Sequence, residues 1–156
     1  MKIVYVHHGH RLKGNPSTQQ DDLTEIGYKD CNLTAELFNV SKIKENFKAI
    51  ITSPFFRCKK TAEIINKHLN LPIFEDERLN EFRSFENETW LDALNRVIEC
   101  INDIINKYDN NDAIICVTSG LNVGAFICKF FGIQPSNNTP FVGVPSCSPL
   151  VFEIDK

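Results

Sequence analysis

Two rhythms of apolar residues alternate along this chain. In the first, short runs rich in β-branched and aromatic residues show no helical period, as strands buried in a sheet do. They fall at residues 2–6, 48–52, 72–74, 113–117 and 150–154. The run at 113–117 (Ala-Ile-Ile-Cys-Val) is apolar throughout, which predicts a strand covered on both faces. In the second rhythm, apolar residues return every three or four positions and predict amphipathic helices. The clearest spans residues 89–108, where Leu91, Leu94, Ile98, Ile101, Ile105 and Tyr108 form one stripe; Thr89 with Asp92 gives the start signal. Helices are also expected at 24–39, at 54–69 with Pro54 in the first turn, and at 120–131 with Gly132 as C-terminal cap. A polar loop at 11–22, carrying Gly14, Asn15 and Pro16, joins the first strand to the first helix.

Strand and helix in alternation predict an α/β fold: a three-layer α/β/α sandwich with a largely parallel central sheet. The 156 residues suit one domain spanning 1–156. A composition of 42% hydrophobic and 24% charged residues is that of an ordinary globular protein. The net charge of -3 argues against a general nucleic-acid binder, which carries a basic balance or stripe. No window approaches a membrane span. The N-terminal apolar run ends in histidines after about five residues, too short for a signal peptide. The expectation is a cytoplasmic protein without nucleic-acid or membrane partners. Its six cysteines include no C-x-x-C pair and are expected as free, buried thiols. Cys58, flanked by Arg57, Lys59 and Lys60, is the first choice for a redox-sensitive one.

Candidate chemistry gathers at strand ends. Three of the four histidines, His7, His8 and His10, follow the first strand at once, with Gly9 among them. In open α/β sheets, ligands bind beyond the carboxyl ends of the strands. Ser53 and Arg57 follow the second strand, and Thr118, Ser119 and Gly120 follow the run at 113–117. Helix N-termini, backbone N–H groups and a guanidinium fork there suit an anion, above all a phosphoryl group. His8 and His10 could form an H-x-H metal pair, but only His68 remains to complete it, late in a predicted helix. No metal and no other cofactor is therefore expected. The stretch from Gly9 to Asn15 lacks the Lys-Ser/Thr of a P-loop.

Motifs in register along nearly the whole chain carry a resemblance. Val6-His7-His8-Gly9-His10-Arg11 is similar to the R-H-G signature of the histidine phosphatase, or phosphoglycerate mutase-like, superfamily. Leu23-Thr24-Glu25-Ile26-Gly27 resembles its L-T-x-x-G, and the stretch from Ser53 to Ala62 its S-P-x-x-R-x-x-x-T-A. Leu79-Asn80-Glu81 resembles L-x-E, and Glu88-Thr89 with Arg96 resembles an E-S/T…R stretch. Val117-Thr118-Ser119-Gly120 falls where the family has V-S/T-H-G. The resemblance implies a phosphoglycerate mutase-like sandwich and a phosphohistidine mechanism. His8 would be the nucleophile, Arg57 the holder of the phosphoryl oxygens, and Glu81 the proton donor to the leaving oxygen. It leaves Glu88 between a catalytic and a solvated carboxylate.

The resemblance also marks two departures. His7 stands where the family has arginine, and Ser119 where it has a second histidine. Losing one such electrostatic contact costs about 3–4 kcal/mol of transition-state stabilisation. Arg11, His7 and Ser119 are the side chains that could take up the phosphate-binding work. Two classes of function stay open. One is a metal-independent phosphatase of phosphomonoesters or a phosphoprotein, acting through His8 with weakened activity. The other is a catalytically inactive module that binds a phosphorylated small molecule or partner. A mutase is not expected, because little chain is left over for a lid. If His7 serves the pocket, phosphate binding should strengthen as it protonates, from roughly pH 7.5 down to 5.5.

Overall fold

A computed structural model describes residues 1–12, 20–41, 46–83 and 86–154. The strands are β1 (Lys2–His7), β2 (Phe47–Thr52), β3 (Ile73–Glu75), β4 (Ala113–Thr118) and β5 (Pro149–Glu153). The helices are α1 (Glu25–Val40), α2 (Phe56–Ile65), α3 (Trp90–Lys107) and α4 (Val123–Phe131). The five strands form one sheet in the order β3-β2-β4-β1-β5. The first four are parallel and β5 runs antiparallel along the edge of β1. The largely parallel α/β sandwich expected from the sequence is thus the fold observed.

Alternation along the central strands explains the layers, since successive side chains point to opposite faces. Ile3, Tyr5, Ile114 and Cys116 pack with Leu94, Val97 and Ile101 of α3 and Phe126 of α4. Val4, Val6, Ile115 and Val117 pack with Phe38 of α1 and Cys58, Ala62 and Ile65 of α2. All six residues of β4 are buried, as a strand covered on both faces must be. No described helix is long and apolar enough to cross a membrane.

Helix ends follow the local chemistry. Thr24 caps α1 by accepting from the Gly27 N–H, and Thr89 with Asp92 closes a capping box on α3. Gly132 ends α4 in the left-handed region, φ 65°. The helix expected from Pro54 instead begins at Phe56. Ser53 is the cause: its N–H still bonds the sheet at the Val117 carbonyl (3.0 Å), and its hydroxyl accepts from the Phe55 N–H (3.3 Å). That turn spends Pro54 before the helix starts. The helix expected at 120–131 opens as a single 3₁₀ turn, Gly120–Asn122, before becoming α-helical. The expected loop residues Gly14, Asn15 and Pro16 lie outside the described residues.

Candidate active site

β1, β2 and β4 end side by side, and their exits build one cluster. The His8 N–H donates to the Thr118 carbonyl (3.0 Å), while Ser53 is tied to Val117. His8 is therefore held by a continuation of the β1–β4 ladder, and it is buried. Its Nδ1 lies 2.8 Å from the Gly9 carbonyl oxygen. A carbonyl only accepts, so Nδ1 carries the proton and Nε2 keeps its lone pair. That lone pair accepts from Arg57 Nε at 3.1 Å. Burial, then the neighbouring His7, then Arg57 and Arg11 push the His8 imidazole down to about 3. His8 is a neutral imidazole with its Nε2 aimed at a guanidinium.

Arg57 is fully buried on the first turn of α2. Its Nη2 donates to Glu81 Oε2 at 2.6 Å, and its guanidinium stacks 4.7 Å from the Phe55 ring centroid. A buried cation needs such a partner, since desolvation alone would cost several kcal/mol. Glu81 is 30% exposed and reaches in from the segment between β3 and α3. Three of the expected residues, His8, Arg57 and Glu81, are thus one hydrogen-bonded chain.

The others are placed differently. The His7 ring sits edge-on to His8, 4.5 Å between centroids, and lies over Gly120, where a β-carbon would come within 2.9 Å of it. Its Nδ1 donates to the Val144 carbonyl (2.9 Å). Burial lowers its pKa despite the opposing effect of the Val144 bond. Ser119 is buried, and among the described residues its hydroxyl has no hydrogen-bond partner. Arg11 is turned to Asp21, Nη1 to Oδ2 2.7 Å. His10 is exposed with Nδ1 3.0 Å from the Thr24 hydroxyl, and His68 pairs with Glu36. No group of three His, Cys, Asp or Glu among the described residues is arranged to hold a metal.

One support of this cluster was not expected from the sequence. The Thr61 hydroxyl accepts from the Gly9 N–H (2.9 Å) and donates to the Arg57 carbonyl (2.7 Å), coupling the β1 exit to α2. The signal was a threonine four residues after Arg57, one turn along the same helix. All six cysteines are free and buried, as expected from the sequence; Cys58, the first choice for a redox-sensitive one, is buried with the rest and pushed up to about 12 by that burial. Its flanking cations point elsewhere: Lys59 to Glu75, Lys60 to Glu63, and Arg57 to His8 and Glu81. A cleft of about 370 Å³ opens beside Glu88 and Arg96 rather than over His8. Its guanidiniums are engaged within the protein: Arg96 with Glu88, Arg78 with Asp76 and Asp103, and Arg83 with Glu86. It is not an evident anion site.

The sequence model of the histidine phosphatase superfamily (branch 1) matches residues 6–87. The chain belongs to that superfamily. The matched span contains His7, His8, Arg11, Arg57 and Glu81 and ends before Ser119. Among solved structures, Bacillus stearothermophilus YhfR is similar at TM-score 0.77 and 19% identity, covering 99% of this chain and 91% of that one. A mycobacterial glucosyl-3-phosphoglycerate phosphatase in complex with VO3 is similar at 0.75 and 18%, covering 96% and 90%. A mutant phosphoserine phosphatase from Entamoeba histolytica, in complex with phosphoserine, is similar at 0.72 and 17%, covering 96% and 89%. These likenesses establish the fold. No curated protein matches the chain.

Proposed function

We propose that this histidine phosphatase superfamily member hydrolyses phosphomonoesters, of a small molecule or a phosphoprotein, through a phosphohistidine at His8. The observation that carries the reading is the hydrogen-bonded chain His8 Nε2 – Arg57 – Glu81, at 3.1 and 2.6 Å. It supplies a neutral nucleophile, a cation and a carboxyl group within one hydrogen-bonded unit. An entering phosphoryl group takes the Arg57 donors, which frees the Nε2 lone pair. Nε2 attacks phosphorus as the bond to the leaving oxygen breaks, and Glu81 in its acid form gives that oxygen its proton. Water then attacks the phosphohistidine, Glu81 takes a proton from it, and inorganic phosphate leaves with His8 restored. Arg57 neutralises the phosphoryl oxygens through both steps.

A second reading, binding of a phosphorylated ligand without turnover, is favoured by the residues at positions 7 and 119. His7 is an imidazole tied to Val144, and Ser119 is a buried hydroxyl. Neither carries a fixed charge. The family resemblance would place arginine and histidine there.

Turnover of p-nitrophenyl phosphate in the presence of EDTA separates the readings. The native protein is compared with His8→Ala, Ser119→His, and the double variant His7→Arg with Ser119→His. Native activity lost in His8→Ala supports the phosphatase. A silent native protein that gains activity in the double variant supports the binding module. Silence in all four leaves the phosphatase reading without support.

A further inference from the structure

Glu81 sits on the crossing between β3 and α3, two residues after the 3₁₀ turn Glu77–Leu79, and among the described residues no strand pairing fixes it. Yet four consecutive carbonyls, of Arg78, Leu79, Asn80 and Glu81, each accept a hydrogen bond from a side chain on another element. Arg96 of α3 takes three of them: Nη1 donates to the Arg78 and Asn80 carbonyls (2.7 Å each), and Nη2 to the Glu81 carbonyl (3.2 Å). Asn122 Nδ2 donates to the Leu79 and Asn80 carbonyls (3.0 Å each), and the Thr118 hydroxyl donates to Leu79 (2.5 Å). The Asn80 side chain is also held, by the Ser53 hydroxyl at 2.7 Å.

The fork that does most of this is itself fixed. Glu88 accepts from Arg96 Nε (2.5 Å) and Nη2 (3.1 Å). The same carboxylate accepts from the Arg83 N–H (2.9 Å), two residues beyond Glu81. The Glu88–Arg96 pair therefore grips the chain on both sides of Glu81. Burial pushes the Glu88 carboxyl up, and the hydrogen bonds from Arg96 and Arg83 more than reverse it, leaving it below the ordinary carboxylate range. α3 does not need this clamp to stay in place. Leu94, Val97, Cys100, Ile101 and Ile104 are buried in the core, and the helix has its own capping box.

We propose that Arg96, oriented by Glu88, is the positioning residue that holds Glu81 at the leaving oxygen. Arginine is required because a planar guanidinium presents its donors in one rigid fork. This inference rests on the reading of Glu81 as the proton donor. It assigns Glu88 a role at one remove from the chemistry.

The test compares two esters. p-Nitrophenolate departs without a proton, whereas the alkoxide of glycerol 2-phosphate needs one. Native protein, Arg96→Lys, Arg96→Gln, Glu88→Gln, Glu81→Gln and the double variant Glu81→Gln with Arg96→Lys are assayed, each confirmed folded by circular dichroism at the assay temperature. The Arg96 and Glu88 variants should lose roughly tenfold or more in kcat on glycerol 2-phosphate. Their loss on p-nitrophenyl phosphate should be about threefold or less, with KM little changed. Glu81→Gln should show the same selective loss, and the double variant no further selectivity. A structural defect would lower both esters alike. If Glu81→Gln is selective but the Arg96 and Glu88 variants are not, the clamp is overturned and the proton donor stands. If Glu81→Gln is not selective, or the native protein turns over neither ester, the proton-donor reading falls and the clamp's role with it.

Discussion

Replacing His8 by asparagine should remove about 2 kcal/mol of acid destabilisation between pH 7 and pH 5. A histidine in the unfolded chain titrates at about 6.5. In the folded protein burial, His7 and the nearby arginines push His8 down to about 3. The unfolded chain thus takes up a proton that the native state refuses. Stability is intact above pH ~6.5, falls as pH drops through the interval, and the loss is complete only below about 3. Each unit within that interval costs about 1.4 kcal/mol, hence about 2 kcal/mol at pH 5. His8 is almost wholly buried, so solvent screening takes little from this figure. The asparagine amide can still donate toward the Gly9 carbonyl, but it does not titrate. The assay is urea unfolding of both proteins at pH 7 and pH 5. Carboxylate contributions are common to both and cancel in the difference. If the acid-induced losses of the native and His8→Asn proteins differ by no more than about 0.5 kcal/mol, a buried neutral His8 is refuted.

Gly27→Ala tests why α1 approaches the His8 loop so closely. Helix propensity alone would make it stabilising by about 0.5–1 kcal/mol. The new β-carbon, however, would fall on the His10 carbonyl oxygen, a backbone atom that cannot rotate away. A loss of about 2 kcal/mol or more is expected in thermal or urea unfolding, and an unchanged or raised Tm would contradict the packing. For His7, burial lowers the pKa, so phosphate binding by calorimetry should strengthen over a window displaced to lower pH than an ordinary imidazole would give. His7→Gln should abolish that rise, and a rise that survives in His7→Gln would exclude His7 as the source. Cys58 should resist a maleimide in the native protein and react only on unfolding; prompt native labelling at Cys58, mapped by mass spectrometry, would disprove its burial.

Much of this architecture is legible in the amino-acid sequence. The stripe from Leu91 to Tyr108 and the unbroken run at 113–117 are patterns set by burial, and burial is what the fold repeats in space. The cluster of His7, His8 and Gly9 at a strand exit is legible for the same reason, because the strand rule alone places them at a ligand-facing edge. What escapes such patterns depends on partners distant in sequence. Arg96 meets the Asn80 carbonyl across 16 residues and Asn122 meets it across 42. No local pattern announces a side chain that donates to a remote backbone. Arg11 illustrates the same point: its sequence position suggests the phosphate loop, and its guanidinium is held by Asp21 at 2.7 Å, a partner that the motif does not announce. The thiols of Cys31 and Cys147 meet at 3.3 Å behind Gly9 although 116 residues separate them, a proximity that spacing could not foretell.

The charges in the free pocket bear directly on the proposed reaction. The Arg57 guanidinium is offset by Glu81 at 2.6 Å, and burial favours the neutral forms of His7 and His8. A dianionic phosphoryl group does not enter a pocket with a strong stored positive potential. In the proposed reaction it gains attraction by taking Arg57 away from Glu81, which would make binding and activation one event. The exchange releases the Nε2 lone pair of His8, because Arg57 Nε has been its hydrogen-bond donor. It also separates the Glu81 carboxyl group from Arg57, which leaves it available for the proton transfer proposed above. The clamp of Arg96 and Asn122 then has a clear physical purpose. Once Arg57 has turned to the substrate, the carbonyl contacts at residues 78–81 hold the Glu81 backbone in place.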